Sequence, residues 1–242
     1  MFTKIKGEIR WAGMVVNDTN PDNRIYTSLV KASGIPELTH DSLRFNKYDL
    51  KKGDQNAYLA CMALVDINAD GIWVFSEDKL ANDWKHDIKF LTLFSNTGRG
   101  KTHLAISAGW EVLDSYLKLK YRNPDDAISN CAVIYRQVGS LMNELRRGYE
   151  DNSFAEVLND CKECRLLILD DLGAEKSSDW TWATLDEIID WRYINELDTI
   201  VTTNVTASSL SPRIASRLMD ARISKIITMK NEDYRRIQQE KN

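Results

Sequence analysis

FSNTGRGKTHLA, Phe94 to Ala105, is the stretch on which the reading of this sequence turns. Phosphate-binding loops follow the rule Gly, four residues, Gly-Lys-Ser/Thr. Gly100, Lys101 and Thr102 obey it, and Ser95 stands where the first glycine belongs. Upstream, IKFLTLF (Ile88–Phe94) is a short apolar run with the character of a buried strand. Downstream, Lys101 to Leu119 continues as a helix, with Leu104, Ala108 and Val112 on one face. The backbone N–H groups of Thr97 to Thr102 would cradle phosphates, aided by the partial positive charge of the helix N-terminus. The cradle takes in Ser95, Asn96, Thr97, Gly98, Arg99, Gly100, Lys101, Thr102 and His103. Gly98 and Gly100 allow close approach, Lys101 would reach the β- and γ-phosphates, and Thr102 would hold Mg²⁺. If position 95 needs a positive φ, serine costs about 1 kcal/mol there. Its hydroxyl can instead bond locally and stabilise the turn.

Working outward, strands alternate with helices. Gln55–Val65 reads as a helix, NADG after it as a turn. Cys131–Tyr135 reads as a strand, Val138–Tyr149 and Phe154–Cys161 as helices, and RLLILDDL (Arg165–Leu172) as a strongly apolar strand ending in two aspartates. Trp180–Glu196 is a long helix, Asp198–Asn204 a strand, Ser209–Asp220 a helix, Ile223–Met229 a fifth strand, and Asn231 onward a last helix. This order predicts an α/β fold: a five-stranded parallel sheet in a three-layer sandwich, with helices on both faces. Ligands of such sheets bind at the carboxyl ends of the strands. The glycine loop, the aspartate pair and Asn204 all fall there.

In LLILDDLG, Asp170 ends the strand and would coordinate Mg²⁺ through water, while Asp171 would orient and polarise an attacking water. Aspartate is shorter than the glutamate common at this second position, which makes slow basal hydrolysis an expectation. Asn204, closing VTTN, would touch the γ-phosphate or the lytic water, with Thr203 as a weaker candidate. The arginines of SPRIASRLMDARISK and NEDYRRI suit transition-state charge stabilisation, because a planar fork pairs with phosphate oxygens. Arg217 and Arg222 precede the fifth strand, where a side chain can enter a neighbour's site. Arg235 follows it and can return to its own γ-phosphate. Arg213 and Arg236 read as solvated.

The formal charge is −4, so the total does not demand a nucleic-acid partner. The last stretch, from Ser211, holds eight Lys/Arg against four Asp/Glu, so a basic end follows an acidic body and is suited to an anion or an acidic neighbouring subunit. No apolar run reaches the ~20 residues of a membrane span. MFTKIKGEIRWAG has no signal-peptide core, so a cytoplasmic location is expected. Of four cysteines, Cys61, Cys131, Cys161 and Cys164, only the last two form a CxxC, in DCKEC. A structural zinc site takes four ligands, so reduced thiols are expected instead.

The order SNTGRGKTHLA, RLLILDDLG, TIVTTN, RIASRLMDARI, EDYRR resembles the DnaC/DnaI-type helicase loaders and the IstB-type transposition helpers among the AAA+ ATPases, from ASGIPE (Ala32–Glu37) to the C-terminus. The resemblance implies Lys101 and Thr102 in Walker A, Asp170 and Asp171 in Walker B, and Asn204 as sensor 1. It implies Arg217 as the arginine finger acting on a neighbour, with Arg222 as second choice, and Arg235 as the sensor 2 arginine. Residues 1–40 are expected to be a short arm and 41–242 the ATPase domain. With little chain after the fifth strand, no separate C-terminal lid domain is expected. The implied cofactors are ATP and Mg²⁺. The implied partners are a replicative DNA helicase, single-stranded DNA, and further copies joined at a shared ATP site, with no membrane. Candidate DNA contacts are Lys118, Lys120 and Arg122 with Tyr116 and Tyr121, and Arg146 and Arg147 with Tyr149. Trp180, Trp182 and Trp191 read as packing residues, and Phe45 and Tyr48 as candidates for the adenine wall. Three functions stay open: a helicase loader, a transposition helper, and a nucleotide-dependent adaptor with little turnover.

Overall fold

The computed structural model describes residues 2–5, 8–11, 14–16, 21–65, 88–122, 132–174, 178–231 and 233. The chain begins with an antiparallel meander, β1 (Phe2–Ile5), β2 (Glu8–Trp11) and β3 (Met14–Val16). Helix α1 (Pro21–Ser33) and helix α2 (Gln55–Leu64) follow. The alternating part consists of β4 (Phe90–Phe94), α3 (Lys101–Arg122), β5 (Val133–Gln137), α4 (Val138–Asp151), α5 (Phe154–Glu163), β6 (Leu166–Leu172), α6 (Asp179–Ile194), β7 (Asp198–Thr203), α7 (Pro212–Leu218) and β8 (Ser224–Thr228).

The second sheet has the order β5-β6-β7-β4-β8 and is parallel throughout. It is the five-stranded parallel sheet that the apolar runs predict. After β4 the chain crosses the sheet in α3 to the far edge, then returns strand by strand. The carboxyl end of β4 is therefore flanked by strands that arrive much later in sequence: Phe94 is level with Thr203 on one side and Thr228 on the other. Gln137 is level with Asp170. One edge of the sheet thus collects Ser95, Gln137, Asp170 and Asn204.

The central strands β4, β6 and β7 are buried on both faces, as a covered parallel sheet requires, whereas the edge strand β8 leaves Ile226 exposed. Leu91 and Leu93 face a core shared with α1, α2 and α3, while Phe90 and Val201 face a second core under α4 to α7. Leu104, Ala108 and Val112 of α3 are buried in the first, and Leu141 and Leu145 of α4 in the second. Tyr26, Val30 and Ile35, within the stretch expected to be an arm, are buried in the first core.

Caps set the helix limits. Ser178 and Ser211 accept from the backbone N–H of Thr181 and Ile214. Pro212 then fixes the first turn of α7. The helix expected from Ser209 therefore starts at Pro212, after a separate 3₁₀ turn at Ala207–Ser209. Asn152, left-handed at φ 63°, ends α4. The strand expected at Cys131–Tyr135 runs later, to Gln137, because its polar end pairs with β6. Cys131 itself and the helix expected after Asn231 lie outside the described residues, apart from Asn231 and Asp233.

Candidate nucleotide site

The Ser95 amide donates to the Thr203 carbonyl (3.2 Å), extending the β4–β7 ladder by one rung. Ser95 is buried and is not among the residues with positive φ, whereas Gly98 (φ 83°) and Gly100 (φ 91°) are left-handed. The penalty for a non-glycine first position therefore does not arise. A Cβ on Gly100 would also approach the Tyr48 ring tightly, at 3.0 Å. A Cβ on Gly98 would collide with the Asp233 carboxylate. Asn231 Nδ2 donates to the Arg99 carbonyl (3.2 Å), and Arg99 donates to the Asn231 carbonyl, so the segment after β8 lies on the loop.

Lys101 is buried with its ammonium curled into the loop. Nζ donates to the Ser95 carbonyl (2.7 Å) and the Asn96 carbonyl (3.1 Å), and lies 3.3 Å from Ser95 Oγ. The Ser95 hydroxyl donates to the Asn96 carbonyl (3.0 Å). It bonds locally, one of the two outcomes the sequence allowed.

Asp170, nearly buried, gathers three hydroxyl donors. Thr102 Oγ1 is 2.9 and 3.1 Å from its two oxygens, Thr202 Oγ1 donates at 2.6 Å, and Tyr135 donates at 2.9 Å. Burial first, then the Asp170 charge, raises the Tyr135 phenol well above its usual pKa, so it stays a donor. Tyr135 and Thr202 were not foreseen as site residues. The signal was their position at the carboxyl ends of strands beside the aspartate strand. Asp171 has φ 63°, at a register shift in the β6–β7 pairing. Its amide donates to Thr202 Oγ1 (2.9 Å), so one threonine fixes both aspartates. A left-handed aspartate stores on the order of 1 kcal/mol, a strain typical of functional sites.

A cavity of about 560 Å³ joins these parts, lined by Thr97 to His103, Gln137, Asp170, Asp171 and Thr202 on one side. Ser42, Leu43 and Lys47 form its other wall. Phe45 and Tyr48, expected there, are buried beneath it and pack on Tyr58. Arg44 ties this wall to α3 through Asp114 (2.5 Å) and Glu111 (3.2 Å). Its carbonyl bonds His103 Nε2 (3.0 Å), which faces the edge of Tyr48. Burial lowers the pKa of His103, so the neutral ring is favoured.

Asn204 follows the Thr203 rung directly, and its Oδ1 is buried without a hydrogen-bond partner. Thr203 serves the chain instead: its hydroxyl donates to the Leu172 carbonyl (2.7 Å). Arg217 binds Asp190 (2.9 Å) and lies over the Tyr193 ring at 4.3 Å. Arg213 shares Asp190 (3.2 Å). Arg222 binds Asp220 (2.7 Å) and Tyr193 Oη (2.6 Å). None of the three lines the phosphate cavity. Arg235 lies outside the described residues.

Of the nucleic-acid candidates, Tyr116 is buried and is unavailable for base stacking. The side chains of Lys118, Lys120, Tyr121 and Arg122 lie outside the described residues. Arg146 lies over Trp180 (4.8 Å), and Tyr149 is exposed and stacked on Phe154. Trp180 and Trp182 pack against the second core, as expected, and Trp191 is part-exposed under Lys162. Cys61, Cys161 and Cys164 are buried free thiols, and burial raises Cys161 to about 12. Arg192, fully buried, donates to the carbonyls of Cys161, Lys162 and Cys164, satisfying the end of α5. Among the described residues, no group of three His, Cys, Asp or Glu converges on a metal position. No described helix is long and apolar enough to cross a membrane.

Solved structures share the fold. The DnaC helicase loader aligns at a TM-score of 0.58 and 24% identity, covering 79% of this chain and 98% of that one. DnaI aligns at 0.55 and 20%, covering 81% and 95%. AMPPCP-bound DnaA from Aquifex aeolicus aligns at 0.57 and 21%, covering 83% of this chain and 54% of that one, so this chain spans about half that relative's length. No curated protein sequence matches the chain. A family model described as IstB-like ATP binding protein matches residues 77–242, which include the β4–α3 loop, both aspartates and Asn204. This chain, with its AAA+ type P-loop fold, belongs to the IstB-like ATP-binding proteins.

Proposed function

We propose that this chain binds and hydrolyses ATP at the β4–α3 loop and uses the cycle to load or remodel a replicative helicase on single-stranded DNA. The observation that carries the ATPase reading is the meeting of Lys101, Thr102 and Asp170, remote in sequence, around one cavity. The loop amides and the N-terminus of α3 bind the phosphates. Lys101 leaves the Ser95 and Asn96 carbonyls for the β- and γ-phosphate oxygens. Thr102 and Asp170 offer the hard oxygen donors that would hold Mg²⁺, whose charge would offset that of the phosphates. Tyr135 and Thr202 keep the Asp170 carboxylate aimed at that point. Asp171, held by its strained backbone, orients the attacking water, and Asn204 accepts from that water at its partnerless Oδ1 or donates to the γ-phosphate through Nδ2.

The active unit is an oligomer in which Arg217, or Arg222, supplies positive charge to a neighbour's γ-phosphate. Arg235 serves its own site. Helix α1 belongs with the ATPase domain, because Tyr26, Val30 and Ile35 are buried in its first core, and the arm is confined to the residues before it.

The family match favours a second reading, an ATP-dependent helper of transposition acting on duplex DNA. Phosphate release measured with single-stranded and with duplex DNA separates the two. Stimulation by single strands supports the loader, and stimulation by duplex alone supports the helper. No release above the Lys101→Ala background leaves a nucleotide-dependent adaptor and removes the ATPase reading.

A further inference from the structure

Leu38 lies in the 3₁₀ turn Glu37–Thr39 and is 96% exposed, the most exposed large apolar side chain of the described residues. Its turn is rigid: Thr39 Oγ1 donates to the Pro36 carbonyl (2.6 Å) and accepts from Trp110 Nε1 (3.1 Å). Exposed Glu37 and Asp41 flank it. Four residues on, Ser42 and Leu43 begin the wall of the nucleotide cavity. On the opposite face of the sheet, α7 leaves an apolar cavity of about 200 Å³. Phe94, Val205, Leu210, Leu218, Met219 and Ile226 line it, and Met219 and Ile226 stand exposed at its mouth. The exposed charges nearby are Arg213 and Arg222, and with Arg217 they outnumber the two acids that pair them, Asp190 and Asp220.

We propose that Leu38 of one copy enters the α7 cavity of the next, with the Glu37/Asp41 rim against the Arg213/Arg222 rim. The occupant is a second copy for three reasons. Knob and socket lie on opposite faces of the sheet, so one chain cannot bring them together. The acidic Glu37/Asp41 rim meets a rim in which three arginines face two aspartates, a net complement that favours encounter. The socket adjoins Arg217, so the contact sets the nucleotide wall of one copy beside the arginine helix of another. Such a contact is heterologous, propagating head to tail. The inference rests on the self-association proposed above and names its surface.

Sedimentation velocity of the full chain with Mg²⁺ and ATP tests it, using Leu38→Asp and Met219→Asp. Both positions are exposed, so both variants keep the fold and nucleotide binding. Each should weaken assembly by about tenfold or more, as loss of a central apolar anchor does. An equimolar mixture should form dimers and stop there, because one variant retains the socket and the other the knob. Assembly of either variant at wild-type affinity, or a mixture that stays monomeric, overturns the knob-and-socket contact while leaving self-association intact. A wild type that stays monomeric with ATP overturns both.

Discussion

The phosphate edge and the arginine helix are built on opposite plans. At the edge, donors are aimed inward before any ligand arrives: three hydroxyls fix Asp170, and the loop carbonyls store Lys101. At α7, the arginines turn away from the chain's own phosphate cavity and are held by neighbouring acids, Asp190 and Asp220, and by Tyr193. One region is a complete half-site for a nucleotide. The other is a cluster of arginines held on acids of the same chain and outside the lining of its phosphate cavity. The contrast supports the proposal that the two regions meet between copies, the nucleotide on one and the arginine on the next.

The sharpest way to break that comparison is to divide the halves between proteins. Arg217→Ala should lower ATP turnover by about 10³-fold, the scale of an arginine finger. Mixed with Lys101→Ala, which keeps the arginine and loses its own site, it should regain part of the activity. No recovery on mixing would mean that Arg217 serves only its own chain. Within the complete half, Asp171→Asn should cut turnover by about 10²-fold, the lower end of general-base effects. It should leave ATP binding unchanged, because asparagine tolerates the left-handed backbone that Asp171 adopts. Single-turnover phosphate release and equilibrium binding, read side by side, check this.

Ser95→Gly is a smaller test. Since Ser95 is free of left-handed strain, restoring the motif's glycine should change ATP affinity only a few-fold. It should also lower stability by about 0.5–1 kcal/mol through added backbone freedom. A gain of tenfold or more in affinity would mean that serine does impair the loop. The smallest effect concerns His103. Burial favours its neutral form, so the unfolded chain takes up a proton first as pH falls. Stability should therefore decline as the solution passes below about pH 6.5. Thermal melts of His103→Gln should show a shallower decline over that range.

Much of the fold was legible because each strand is a short apolar run bounded by turns, and parallel sheets bury both faces. The order of the strands was legible only as a class. Nothing in IKFLTLF says that its neighbours are Asp198–Thr203 and Ser224–Thr228. That Lys101, Thr102 and Asp170 would meet at one cavity was legible, because the glycine loop and the aspartate pair each follow an apolar strand. The supports of that site were not. Tyr135 and Thr202 act through their register beside Asp170, which depends on pairing between distant strands. The wall at Ser42, Leu43 and Lys47 stood one step from the aromatic residues chosen for it. Sequence marks aromatics as ring binders, but Phe45 and Tyr48 are more strongly drawn into the core beneath. The effect of Ser95 was undecidable from the motif, since it depends on a backbone angle.

The central claim is that Lys101, Thr102 and Asp170 surround one bound triphosphate. Calorimetric titration of the wild type and of Lys101→Ala with ATP and Mg²⁺ tests it most directly. The account predicts saturable one-to-one binding by the wild type that is lost or reduced at least about tenfold in the variant, as expected when a charge-assisted contact to phosphate is removed. Equal affinity in the two proteins would contradict it.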